Sequence, residues 1–216
     1  MEGLKTENVI VNEVRKETLK GNNTFYYIFV KRGIDLVFST ILLIITSPIL
    51  LLSLIIVFLQ DFKNPLFSQL RVGLGNKEYK IYKVRSMIYN AEKNGAQWAV
   101  ENDLRVTAFG KFIRKTRIDE LPQLWNIIKG EMSLVGPRPE REVFYKEFEK
   151  DIPNFRERLQ VRPGLSGLAQ VNGGYYITPK EKLGYDLYYI KNLSIKLDIQ
   201  IFIKTILVIL TGDGAR

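Results

Sequence analysis

LVFSTILLIITSPILLLSLIIVFL, residues 36–59, carries no charged side chain. As α-helix these roughly 24 residues reach about 36 Å, against a bilayer hydrocarbon core of about 30 Å. A soluble core helix rarely stays apolar on every face for that distance. The run therefore reads as a membrane segment, and everything else in the chain must be arranged around it. A cleaved signal peptide is a poor match: the run is too long, begins too deep in the chain, and no small-residue cleavage site follows.

Working outward, Lys31 and Arg32 precede the run, and Lys63, Arg71, Lys77, Lys80 and Lys83 follow it. The positive-inside rule puts both flanks in the cytoplasm, which one straight span cannot do. Ser47-Pro48 stands near the midpoint. Proline removes a helix hydrogen bond and clashes with the preceding turn. A helix broken there could dip into one leaflet and return, each arm about 18 Å long. A kinked ordinary span is the alternative, since membrane helices tolerate proline. FYYIFV, 25–30, sets aromatics beside cations, as at headgroup level. Residues 1–24 are polar and charged and read as a short cytoplasmic lead.

The whole chain has 216 residues, 46% of them hydrophobic, and a net charge of +9. That suits one globular domain with an attached segment and calls for an anionic partner: nucleic acid, anionic lipid or a phosphorylated small molecule. Cys and His are both absent. Disulfides, zinc clusters, thiol nucleophiles, His bases and Ser-His-Asp relays are thereby excluded. Catalysis must rest on Asp, Glu, Lys, Arg, Tyr, Ser or Thr, with an oxygen-liking metal such as Mg²⁺ as the natural helper.

Residues 65–87 read as a β-hairpin around GLGN, 73–76, with Lys83 and Arg85 on one side of its second strand. Leu121, Leu124, Trp125 and Ile128 fall on one helix face, with Pro122 at the first turn and Gly130 at the stop. Just before that helix, RKTRIDE (114–120) sets Asp119 and Glu120 directly after Arg114, Lys115 and Arg117. Free N–H groups and the helix dipole favour negative charge there, and the cations push the same way. An ionised Asp can bind Mg²⁺ or attack phosphorus, although acidic helix caps are also common. Pro137-Arg138-Pro139 stiffens the backbone around one guanidinium suited to phosphate oxygens, unless it is a plain Pro-rich turn. VRPGLSGLAQVNGG, 161–174, with Arg162, is a Gly-rich loop able to meet phosphate through backbone N–H groups, or an ordinary connector. The C-terminal IQIFIKTILVILTG reads as an amphipathic helix on the membrane or docked to the domain. P-loop, G-x-G-x-x-G and D-x-D motifs are absent.

Taken together, KRGIDLVFS with the later SP, YKVRSM, NDLRVTAFGKFIRKTRIDELPQLWNIIKGEMSLVGPRP, VRPGLSGLAQVNG and YDLYYIKNLSIKLDI resemble one family. It is the bacterial sugar transferases, polyprenyl-phosphate hexose-1-phosphate transferases of monotopic topology (phosphoglycosyl transferases). The resemblance runs from about Tyr27 to the C-terminus. Some members carry membrane helices ahead of this domain, and this chain looks like a near-minimal version. The resemblance implies an α+β architecture. Residues 1–30 are a polar cytoplasmic or interfacial lead, and 31–60 a re-entrant helix-break-helix membrane hairpin broken at Ser47-Pro48. Residues 61–216 are a small, mostly helical cytoplasmic catalytic domain with a short β-hairpin and interfacial amphipathic helices. Both termini are cytoplasmic, at the bacterial inner membrane.

It also implies a reaction. A UDP-sugar gives its sugar-1-phosphate to undecaprenyl phosphate and releases UMP, beginning exopolysaccharide, capsule, O-antigen or glycoprotein glycan synthesis. Asp119 is the implied nucleophile, Glu120 its metal-holding or tuning neighbour, and Mg²⁺ the cofactor. Lys83, Arg85, Arg114 and Arg138 match family positions near the phosphates, and Arg162 joins them as a phosphate-binding candidate. No role attaches to Arg117. Nucleic acid is not an expected partner. The Tyr-rich and amphipathic C-terminal segments could make a homodimer contact or lie on lipid. The rival from another class is a membrane-tethered binder of polyanions or anionic lipid, which explains the charge but not an acid pair inside it.

Overall fold

A computed structural model describes residues 26–93, 95, 103–173 and 177–211. The polar lead before Tyr26 and much of the loop between the hairpin and the next helix lie outside the described residues. A π-helical turn, Tyr26–Val30, leads into helix α1, Lys31–Asp61. Of the described helices α1 alone is long and apolar enough to cross a membrane, which fits association with one.

The helix-break-helix expected at Ser47-Pro48 is not what the backbone shows. One helix runs continuously through Pro48. Proline cannot donate to the carbonyl four residues back, here that of Ile44. The Ser47 hydroxyl donates to that same oxygen at 2.8 Å. The serine thus supplies the hydrogen bond that its neighbour removes, and the helix need not part.

Strands β1 (Leu66–Val72) and β2 (Glu78–Val84) form the expected antiparallel hairpin, Leu66 opposite Val84 and Val72 opposite Glu78. Its turn is left-handed at Gly75 and Asn76, residue types that tolerate positive φ. Helix α2 (Ala108–Lys115) follows, capped by the Thr107 hydroxyl on Gly110 N. A 3-10 turn, Ile118–Glu120, precedes helix α3, Gln123–Lys129. Strand β3 (Ser133–Val135) pairs in parallel with β4 (Gly164–Ser166). Helix α4 (Glu142–Phe148) and a 3-10 turn (Phe155–Gln160) lie between those strands. Helices α5 (Leu168–Asn172), α6 (Pro179–Lys191) and α7 (Ile195–Thr211) complete the domain.

The main core gathers Leu124 and Ile127 of α3, Met132, Tyr189 of α6 and Ile201 of α7. The face expected for α3 is out of phase. Trp125 is 51% exposed, while Asn126 and Ile127 are fully buried. The cause is polar. The Asn126 side chain accepts from Tyr82 N and donates to Lys80 O, knitting α3 to the open edge of β2. Apolar periodicity cannot register a helix face chosen by an asparagine. The C-terminal segment is a single helix docked through Ile201, with Ile199, Phe202, Ile203 and Leu207 exposed along it.

Candidate active site

Asp119 and Glu120 sit in the 3-10 turn between α2 and α3, not in a helix N-terminus proper. Arg117, at φ 58°, turns the chain between the two elements. A left-handed non-glycine residue costs on the order of 1–2 kcal/mol and persists only where surroundings enforce it. Here the turn aims both carboxylates inward; Asp119 is 6% and Glu120 7% exposed.

One oxygen of Glu120 collects the cations. Its Oε1 accepts from Arg138 Nη2 at 2.8 Å and Lys83 Nζ at 3.1 Å, and lies 3.9 Å from Arg117 Nη1. Those three contacts leave Oε2 and the whole Asp119 carboxylate out. Burial acts to raise Glu120, but Arg138, Lys83 and Arg117 outweigh it and hold the carboxyl well below its ordinary range. Asp119 goes the other way. Burial raises it to about 6, Lys83 opposes that, and the Glu120 charge adds to it. Two adjacent carboxylates are thereby separated in character, one locked as a counter-ion, the other ionised near neutral pH and, among the described residues, in no ion pair.

Arg114 reaches the same region from α2, its Nε donating to Ser86 Oγ at 2.8 Å. Gly110 makes that approach possible, because a Cβ there would stand 1.9 Å from Ser86 O. Arg138 is mounted by glycines. Gly136 N donates to Ser166 O, and Gly164 N donates to Pro137 O. A Cβ on Gly136 would meet Arg162 O at 2.4 Å, and one on Gly164 would meet Gly136 N at 2.1 Å. Gly164 and Gly167 thus serve close approach to the backbone at Gly136, leading into the Pro137-Arg138-Pro139 turn, and the Gly164 N–H is spent on that turn, while the Gly173 N–H closes its own helix on Ala169 O.

The structure brings together Asp119, Glu120, Lys83, Arg114 and Arg138. It does not bring Arg85 or Arg162 to them. Strand β2 ends at Val84, and Arg85 turns back to hold both Asp61 oxygens, at 2.5 and 2.6 Å, and Asn64 O. Arg162 Nε donates to Gly130 O at the C-terminal end of α3, beside Arg32, which holds Ile127 O and Ile128 O. Ser47 and Pro48 lie in the exposed middle of α1. Arg117 is the residue the sequence reading passed over; its signal was the tight succession of cations before the acid pair.

The donor set suits Mg²⁺. Two neighbouring carboxylates offer hard oxygens, and among the described residues no group of three or more ligands forms an all-protein cage. Mg²⁺ commonly takes one or two carboxylates and completes its shell with water and substrate phosphate.

The profile of the bacterial sugar transferase family matches residues 26–212. The chain belongs to that family. Its relatives include the UDP-N-acetylgalactosamine-undecaprenyl-phosphate N-acetylgalactosaminephosphotransferase of Aeromonas hydrophila. That protein is 49% identical over 193 residues, covering 88% of this chain and 46% of the relative. A Bacillus subtilis protein, provisionally named an undecaprenyl-phosphate N-acetylgalactosaminyl 1-phosphate transferase, is 47% identical over 149 residues, 69% of this chain and 83% of its own. The UDP-galactose-lipid carrier transferase of Erwinia amylovora is 38% identical over 202 residues, 87% of this chain and 42% of the relative. This sugar transferase thus spans less than half the length of two of these relatives and most of the third.

Proposed function

We propose that this sugar transferase moves a sugar-1-phosphate from a UDP-sugar to undecaprenyl phosphate, initiating polysaccharide or glycoprotein glycan synthesis. The observation that carries the reading is the division of the acid pair: a buried Asp119 outside the ion pairs, beside a Glu120 gripped by three cations. An Asp119 oxygen attacks the sugar-bearing phosphorus of the UDP-sugar. The phosphorus–oxygen bond to UMP breaks, and UMP leaves. An oxygen of undecaprenyl phosphate then attacks the same phosphorus, and the Asp119 carboxylate departs. Two displacements let one nucleophile serve two anionic substrates in turn. Lys83, Arg114, Arg117 and Arg138 supply counter-charge without which the substrates would repel one another and the dyad. Asp119 and Glu120 are the residues that would hold Mg²⁺, which would supply further positive charge against the diphosphate.

The site works at the cytoplasmic face of the inner membrane, with the protein monotopic. Support comes from the two ends of α1. Lys31 pairs with Asp198 of α7 at 2.7 Å, and Asp61 at the far end pairs with Arg85 of the hairpin at 2.5 Å. Both ends are tied to one domain, which a straight crossing of a core about 30 Å thick would prevent. Cysteines introduced one at a time at Gly33 and Lys63 into this Cys-free chain are expected to label from the cytoplasmic side only. Labelling of either from outside contradicts the topology.

Two of the relatives described above are named for N-acetylgalactosamine, so UDP-N-acetylgalactosamine heads the donor panel. The test is UMP release from several UDP-sugars with undecaprenyl phosphate and Mg²⁺. One donor should yield UMP and a lipid-linked product, and Asp119→Asn should yield neither. A full panel without UMP, alongside retained binding to anionic vesicles, would return the protein to a membrane-tethered binder.

A further inference from the structure

Behind the Pro137-Arg138-Pro139 turn lies a buried set of charges that no step above uses. Arg158 is 1% exposed. Its Nη2 donates to the backbone carbonyl of Arg138 at 2.9 Å and stands 2.7 Å from Asp186 Oδ2 of α6. The guanidinium lies over the Phe155 ring, 5.0 Å from its centroid, and Nε and Nη1 are buried with no acceptor among the described residues. Nearby, Glu140 holds Lys182 Nζ of α6 at 2.7 Å and faces Arg71 Nη1 at 3.5 Å. Arg71 Nη1 also donates to Pro139 O at 3.1 Å.

Stability does not explain this arrangement. A buried ion pair rarely outperforms well-packed apolar residues of the same volume, and Arg is almost never fully buried without a specific partner. What the buried cations do share is a target: Arg158 takes the carbonyl of Arg138, and Arg71 that of Pro139. The prolines fix φ on either side and confine Arg138 to extended backbone, yet leave its peptide plane free to rock. A hydrogen bond on the Arg138 carbonyl removes that freedom.

We propose that Arg158, braced by Asp186, is a positioning residue for Arg138: it fixes the peptide plane from which the Arg138 side chain reaches Glu120 and the transferred phosphate. Arg158 itself touches no reacting atom. The proposal rests on the phosphoryl-transfer reading of the Asp119–Glu120 site. Removing Arg158 alone would strand Asp186 in the interior. The informative change replaces both, Arg158→Met with Asp186→Leu, which keeps volume and removes the charge pair.

The experiment is a cycle on the full-length protein in detergent or nanodiscs, reading UMP release and melting temperature together. In the wild-type background the pair of substitutions is expected to lower UMP release by about 10- to 100-fold, as misplacing a contact residue does, with melting temperature little changed. In an Arg138→Ala background the same pair is expected to lower it less than about twofold, since the group it positions is gone. Equal losses in both backgrounds, or no loss in the wild type, overturn the positioning role. If the paired variant fails to fold, Arg158→Lys serves instead. It keeps a cation beside Asp186 with a different reach, and wild-type kinetics there also overturn the role. Arg138→Ala with wild-type UMP release overturns the positioning role and leaves the transfer reading standing, whereas a wild-type protein that releases no UMP from any donor overturns the transfer reading, so the two failures are told apart.

Discussion

Helix α1 buries mostly polar residues, whereas the domain it joins is built chiefly on apolar ones. Along α1 the outward side chains include Ile44, Ile45, Leu51 and Leu52, Ile44 being 67% exposed, and the buried ones are Lys31, Asp35, Ser39, Ser53 and Val57. In the domain the interior is chiefly apolar, Leu124, Ile127 and Phe155 among it, beside the buried charges around Arg158. The contrast teaches what holds each part. In water, burying apolar area drives folding. In hydrocarbon that drive vanishes, so α1 is located by polar contacts: Lys31 on Asp198, Arg32 on the α3 carbonyls, and Asp35 Oδ1 on Ser133 Oγ and Leu134 N. The apolar residues give the helix its medium; the polar ones give it its place.

Substitutions can break that contrast. Ile127→Ala, in the domain core, should cost about 2–5 kcal/mol, read as a lower melting temperature in detergent; a loss below about 1 kcal/mol would mean the domain is not held by this core. Asp119→Asn should act with the opposite sign. A carboxyl raised to about 6 by burial lends its full stability only below its unfolded value near 4, and that contribution disappears as pH rises through 6. The Asn variant should therefore melt higher than wild type above pH 6 in metal-free buffer, by up to about 3 kcal/mol, and match it near pH 4. A variant less stable than wild type at pH 7.5 would show that the carboxylate is a structural partner, not a strained functional group. Asp35→Leu makes α1 more apolar and should still destabilise by about 1–3 kcal/mol, because the buried Leu134 N–H loses its acceptor; a gain in stability would undo the claim that polar contacts place the helix. Ile45→Ala should change the melting temperature in detergent by less than about 0.5 kcal/mol equivalent.

Much of this was legible before any coordinates. Residues 36–59 announce a membrane helix by length and lack of charge. The hairpin announces itself by alternation around GLGN, and the acid pair stands out because cations precede it. What escaped has physical causes. Strands of three residues such as β3 and β4 have no period to detect, so the parallel pairing that mounts Arg138 was invisible. The α3 face is set by Asn126, whose buried hydrogen bonds no apolar count records. Lys83 and Arg85 share a strand side only while the strand lasts, and it ends between them. Pro48 reads as a break until Ser47 is seen to serve the Ile44 carbonyl. The glycines of 161–174 suggest a phosphate loop, whereas the close approach of Gly164 and Gly167 is to the backbone at Gly136. Arg158, whose distance from the turn in sequence hides its contact with it, carried no signal at all.

A two-step transfer requires a phosphosugar bound to Asp119. Incubating the purified protein with its UDP-sugar and Mg²⁺ in the absence of undecaprenyl phosphate should release no more than one UMP per protein. The peptide containing Asp119 should gain the mass of a sugar phosphate, and added undecaprenyl phosphate should remove it. UMP release that requires the lipid acceptor from the first turnover, with no mass added at Asp119, would contradict the two-step route and leave direct transfer between the two substrates in its place.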